Sequence, residues 1–230
     1  MISPLLSGNT FTFNSFKMKK IGLTLFTIIG LGITATAQDM EKYDRRDKLT
    51  VGARFGGNLS NVWDSEGEDF DADPKLGFAG GVFAGIPIGR YIGIQPEIIF
   101  SQKGFQASGI LLGTAYSFEK TTSWIDVPVQ FQIKPLPYLT ILAGPQFSFQ
   151  VSERNVYTYG NNSSAQEEEF DNDNIRKNIF GISTGFDINI SHVVVSGRAC
   201  WDLQSNKGDG TSTTPRYRNQ FVQLTIGFKI

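Results

Sequence analysis

Phe221-Val-Gln-Leu-Thr-Ile-Gly-Phe-Lys-Ile230 closes the chain, and its reading decides the fold. Val222, Leu224, Ile226, Phe228 and Ile230 share one side of an extended chain, and Gln223, Thr225, Gly227 and Lys229 share the other. Successive side chains of a strand point to opposite faces, so this strand has one apolar and one polar face. A soluble protein seldom stops on so apolar a strand. A membrane barrel does so routinely, because its last strand seals the sheet and turns its apolar face to lipid. The expectation is an all-β, membrane-spanning barrel.

Upstream, seven more segments alternate in the same way, and no helical period appears after the first fifty residues. They run over residues 49–59, 76–88, 91–103, 117–134, 139–152, 178–190 and 192–203. In the second, Leu76, Phe78, Val82, Ala84, Ile86 and Ile88 oppose Gly77, Ala79, Gly81 and Gly85. In the third, Ile92, Ile94, Ile98 and Phe100 oppose Gln95, Glu97 and Ser101. Connections alternate too. Gly89-Arg90, Pro135-Leu-Pro-Tyr138 and Ser191 are short, whereas residues 60–75, 104–116, 153–177 and 204–217 form long polar links. Short turns at one end and long loops at the other mark bacterial outer-membrane barrels, with the short turns periplasmic. The expected architecture is an eight-stranded antiparallel up-and-down barrel.

Alternation alone leaves open which face points inward, since a soluble ligand-binding barrel has the same period. The polar faces carry the glycines and small residues, which suits a narrow lumen. The apolar faces carry branched and aromatic residues that would overfill it. The apolar face is therefore expected outside, against outer-membrane lipid. Trp63, Tyr91, Tyr116, Trp124, Tyr138 and Trp201 fall at or near strand ends, as interfacial aromatic girdles do, with ordinary packing as the alternative.

The only long apolar stretch is Ile21 to Ala37, preceded by Lys17, Lys19 and Lys20 and ending in Ala35-Thr36-Ala37. A basic start, a short apolar core and an A-x-A site make a cleavable secretory signal over residues 1–37. Met18 stands where such a signal normally begins, so residues 1–17 read as an early start. Residues 38–47 form a short lead-in, and 48–230 the barrel domain. The single cysteine, Cys200, precludes an internal disulfide and lacks a nucleophile's setting. A net charge of −1 gives no basic field for nucleic acid.

Inward-facing charges are the main candidate site. Arg54, Glu97, Asp126 and Arg198 lie at similar depth, and Asp187 nearer the short-turn rim. Two guanidiniums and three carboxylates in a confined lumen are expected to pair with one another, forming a salt-bridged plug. The alternative is an ion or proton path. Asp69, Asp71 and Asp73 have the spacing that opens a calcium loop but lack its glycine and bidentate glutamate, so a solvated acidic loop is expected. His192, the only histidine, has no metal-ligating companion, and no residue set nominates a cofactor or a catalytic reaction.

Gly77-Phe-Ala-Gly-Gly81, Gln95-Pro-Glu-Ile-Ile-Phe-Ser-Gln-Lys-Gly104, Trp124-Ile-Asp-Val-Pro128, Ala143-Gly-Pro-Gln-Phe147 and Gly181-Ile-Ser-Thr-Gly-Phe-Asp187 occur in this order. Together they resemble the PorT-like outer-membrane β-barrel family of Bacteroidota over essentially the whole mature chain. The resemblance implies an eight-stranded barrel with the architecture of OmpA and OmpX. It implies no particular task, since most members have none assigned. The functional expectation is a non-enzymatic outer-membrane barrel with a plugged lumen, inserted by the barrel-assembly machinery and meeting protein partners through its long loops. A narrow channel for ions or small solutes and a periplasmic ligand-binding barrel are the alternatives.

Overall fold

The computed structural model describes residues 44–63, 73–111, 114–160, 162–168, 178–206 and 217–230. The signal segment, Asp69 and Asp71 lie outside them. Among the described residues there are nine strands and no helix: β1 Thr50–Trp63, β2 Asp73–Pro87, β3 Ile92–Leu111, β4 Thr114–Leu136, β5 Leu139–Tyr159, β6 Asn162–Glu168, β7 Asn178–Ile190, β8 Val193–Asp202 and β9 Arg218–Lys229. All pairings are antiparallel. The order β4-β3-β2-β1-β9-β8-β7-β5 closes on itself through β4–β5, which makes a ring of eight strands. The last strand seals against the first, with Ala53 opposite Phe228 and Phe55 opposite Ile226.

The register confirms which face is outside. Phe55 is 66% exposed, Leu224 49% and Ile226 53%, whereas Arg54, Gln223 and Thr225 beside them are buried. Residues of one parity thus line a polar interior and those of the other form an apolar outer wall. A soluble barrel would have the reverse, because water penalises an exposed apolar belt. The interior is less uniformly polar than alternation suggested: Phe83, Ile99, Leu142, Ile179, Val194 and Phe221 also point inward and are buried.

Two of the supposed loops are strand. β3, β4 and β5 contain 20, 23 and 21 residues, about twice the 9–11 that cross a bilayer when tilted. Residues 104–111 and 114–116 extend the β3–β4 hairpin, and Gly104 continues the ladder opposite Thr121. β7 pairs with β5 only as far as Phe149, and above that level β6 takes its place, pairing Glu153–Tyr159. A register shift at Ser123/Trp124 marks the change of level, as bulges often do where a sheet re-aims. The β5–β6 turn is made by Gly160, whose φ of 58° favours glycine. The result is a four-stranded sheet standing clear of the ring on the long-loop side. Asp73 opens β2 as an exposed strand residue opposite Gln106.

The girdle expectation needs correction at two positions. Trp124 is 3% exposed, in mid-strand, and points into the lumen. Its Nε1–H donates to Thr122 Oγ1 at 2.8 Å. Tyr116 lies on the outstanding sheet opposite Tyr159, beyond the span of the ring. Tyr91 and Trp201 are exposed at strand ends, as an interfacial residue would be.

Candidate functional site

Strand periodicity puts Arg54 of β1, Glu97 of β3, Asp187 of β7 and Arg198 of β8 into the lumen at one level. Neighbouring glycines make room for the guanidiniums. Arg54 is flanked by Gly81 and Gly227, and Arg198 by Gly185. A Cβ on Gly185 would collide with the Gly197 carbonyl and approach Arg198 Cδ at 2.9 Å. Arg198 Nη2 lies 2.7 Å from Asp187 Oδ1 and 3.5 Å from Glu97 Oε1. Arg54 reaches Glu97 at 3.4 Å and Asp187 at 3.6 Å, with its guanidinium 4.2 Å from the centre of the Phe83 ring. Gln95 Nε2 donates to Glu97 at 2.6 Å, and Gln132 donates to Gln95. Two cations and two anions therefore neutralise each other in a ring. All four are buried, so an unpaired member would be costly.

Asp126 does not join this ring, contrary to the sequence expectation. It pairs at 2.8 Å with Lys103, which is 1% exposed. The ammonium also donates to Ser148 Oγ at 3.4 Å and faces the Phe221 and Trp124 rings at 4.5 and 5.1 Å. Lys103 was missed because Gly104 reads as a strand end. Its parity with Glu97 and Ser101 was the signal that could have found it. Lys103 and Asp126 thus form a second layer, and buried Asp202 of β8 accepts from Asn219 Nδ2–H at 2.7 Å. Between the layers is a void of about 10 Å³, lined by Glu97, Asp126, Gln130 and Arg198 among others, which is room for one water at most. Amides and hydroxyls knit the rest together: Gln130 to Ser183 at 2.7 Å, Asn58 to Ser101 at 2.9 Å, and Gln223 to Asn58 at 2.9 Å.

The long-loop end of the lumen is capped by Val62, Phe105 and Tyr217 packed with Phe118. Beside them Lys120 pairs with Glu153 at 2.6 Å. At the short-turn end Lys229 donates to Asn189 at 2.6 Å, at the rim, as its place in β9 predicts. Cys200 is buried in the lumen wall. His192 contacts Arg45 and Ser191 and stacks on Phe228. Among the described residues no group of three His, Cys, Asp or Glu could hold a metal.

Residues 44–48 lie across the short-turn mouth. Asp44 pairs with Arg46 at 2.8 Å and Arg90 at 2.9 Å, and Lys134 donates to the Arg46 carbonyl at 3.0 Å. The hydrogen-bonded Arg46 guanidinium holds the Asp44 carboxyl well below the usual carboxylate range. A depressed carboxylate stabilises above its unfolded pKa and loses that contribution as pH falls through the folded value. The clasp therefore persists through neutral and mildly acidic pH. Asp44→Asn is expected to speed tryptic cleavage after Arg46 by a few-fold, at most about fivefold for a surface pair, measured by limited proteolysis of the folded protein.

A closed antiparallel ring with an apolar outer wall and a charge-paired polar interior defines a membrane-spanning β-barrel. Residues 36–208 match the family model described as outer membrane protein beta-barrel domain. The chain belongs to that family, which supports the outer membrane as its location. Similar solved structures include Ail of Yersinia pestis in complex with the heparin analogue sucrose octasulfate, at 11% identity and TM-score 0.46, covering 80% of this chain and 99% of that one. Neisserial surface protein A is similar at 14% identity and TM-score 0.42, covering 79% and 97%. OprG from Pseudomonas aeruginosa is similar at 9% identity and TM-score 0.41, covering 79% and 95%. A comparison with curated proteins finds no match.

Proposed function

We propose that this protein is a non-conducting outer-membrane barrel of the PorT-like kind that acts through its external sheet. It is exported by the signal over residues 1–37, starting at Met18, and inserted by the barrel-assembly machinery. The lumen is a structural plug, and the β3–β6 sheet and long loops meet protein partners outside the cell. The observation that carries this reading is the pair of buried, ion-paired layers in the lumen. An ion would have to break buried ion pairs to pass them, and the void between the layers has room for about one water. The outstanding sheet supports the second half. It presents Tyr116, Tyr157 and Tyr159 on one face, each 39% exposed or more, and tyrosine is enriched where proteins meet partners.

Planar-bilayer recording tests the plug. The wild type is expected to give no discrete conductance steps at moderate voltage. Steps in the wild type that vanish when Arg54 or Lys103 is altered would establish the channel alternative.

A further inference from the structure

The lipid-facing wall is interrupted near the short-turn end by a hollow of about 890 Å³ crossing β9, β1, β2, β3 and β4. Ala53, Ala84, Pro96 and Val127 line it between the larger Phe228 and Ile98. Phe228, Ala53, Val82 and Ile98 form one row across the wall, and Ala84 lies in the next row toward the turns, opposite Val51. Alanine reaches no farther than Cβ, so the wall is low at Ala53 on β1 and, diagonally from it, at Ala84 on β2. Pro96 has no N–H to donate, and the β2–β3 ladder skips from Phe83–Glu97 to Ile86–Ile94 at this level.

The hollow is continuous with the apolar belt that meets hydrocarbon. Lipid tails have no hydrophobic drive to leave one apolar surface for another, so shape and close contact decide what stays. Cations stand below it. Lys48 lies in the turn that precedes β1, its N–H donating to the Arg45 carbonyl at 3.1 Å. Lys48 is exposed and has no ion pair among the described residues. Arg90, in the turn joining β2 to β3, is 60% exposed although it touches Asp44. Cations at the rim and an apolar hollow in the wall match the two ends of a phospholipid.

We propose that the hollow holds one acyl chain of a glycerophospholipid from the periplasmic leaflet, with its phosphate at Lys48 and Arg90. The site rests on the family's membrane setting and not on the lumen being closed. Native mass spectrometry of the full mature protein, released from micelles containing phosphatidylglycerol, reads it directly. The wild type is expected to retain one lipid. Ala84→Phe fills the hollow and is expected to lower retention by about tenfold. Lys48→Gln and Arg90→Gln are each expected to lower it by about fivefold. Ile182→Phe, on the wall of β7, keeps the adduct. Heat-modifiable migration on gels reports folding, and Ala53→Val serves if Ala84→Phe does not fold. No one-to-one adduct in the wild type, or equal retention by Ala84→Phe and Ile182→Phe, overturns the proposal. Equal retention of uncharged diacylglycerol, with no effect of the two glutamine variants, overturns the headgroup assignment.

Discussion

Asp187→Leu is expected to destabilise the barrel by about 3–5 kcal/mol, the cost of stranding a buried charge. Among the described residues Asp187 is the only carboxylate within 3 Å of either lumen arginine: it lies 2.7 Å from Arg198, against 3.4 to 3.6 Å for the other contacts of the ring. Without it, Glu97 alone must balance two buried guanidiniums. The measurement is urea unfolding of protein refolded into lipid vesicles, followed by tryptophan fluorescence. Replacing all four members, Arg54→Met, Glu97→Leu, Asp187→Leu and Arg198→Met, is expected to recover most of the loss. Well-packed apolar groups often equal a buried ion pair or exceed it by about 1–4 kcal/mol. A single variant within about 0.5 kcal/mol of wild type, the range of an ordinary surface change, would show that the ring is solvated.

The contrast between the single and fourfold variants also separates structure from transport. A plug is needed for its neutrality, which apolar side chains supply equally well. A conduction path is needed for the charges themselves, and the fourfold variant would abolish it while leaving the fold intact.

Much of this arrangement was legible because period two is a strict rule. Once Leu224 and Gln223 are placed on opposite faces, closure onto β1 leaves no freedom about which side chains enter the lumen. Arg54, Glu97 and Arg198 sit at fixed parity and similar height, and Asp187, read as nearer the short-turn rim, joins them diagonally through Arg198 at 2.7 Å. Asp126 went elsewhere because height was counted from estimated strand ends, and Lys103, its actual partner, was the last residue before a glycine. Glycine weakens a strand signal without ending the strand, and here Ser60 Oγ accepts the Gly104 N–H at 2.9 Å and keeps the chain in the ladder. β6 was not legible for a different reason. Asn162-Ser-Ser-Ala-Gln-Glu-Glu168 has neither β-branched nor aromatic residues, so its strand form comes from pairing with Glu153–Tyr159 and not from its own propensity. Trp124 misled because aromatic type says nothing about facing. Its parity with Asp126 did.

The terminal strand provides the sharpest remaining test of the inside-out arrangement, since adjacent residues should respond oppositely. Leu224 lies midway along β9, on the outer wall. Leu224→Arg is expected to cost about 2–4 kcal/mol in vesicles, the depth-dependent penalty for a cation at the bilayer midplane. Ile230→Arg, at the rim, is expected to cost only about 0–1 kcal/mol by the same dependence. Gln223 next door faces in and donates to Asn58 at 2.9 Å, so Gln223→Leu should be unfavourable by about 1–3 kcal/mol through the orphaned amide oxygen. Adding an apolar group thus harms one position and adding a charge harms its neighbour. Vesicle unfolding of the three variants measures all of this on one scale. If the wall carrying Leu224 met water instead of lipid, arginine would be tolerated at both depths. Equal, near-zero effects of Leu224→Arg and Ile230→Arg would therefore refute the lipid-facing assignment of the strand.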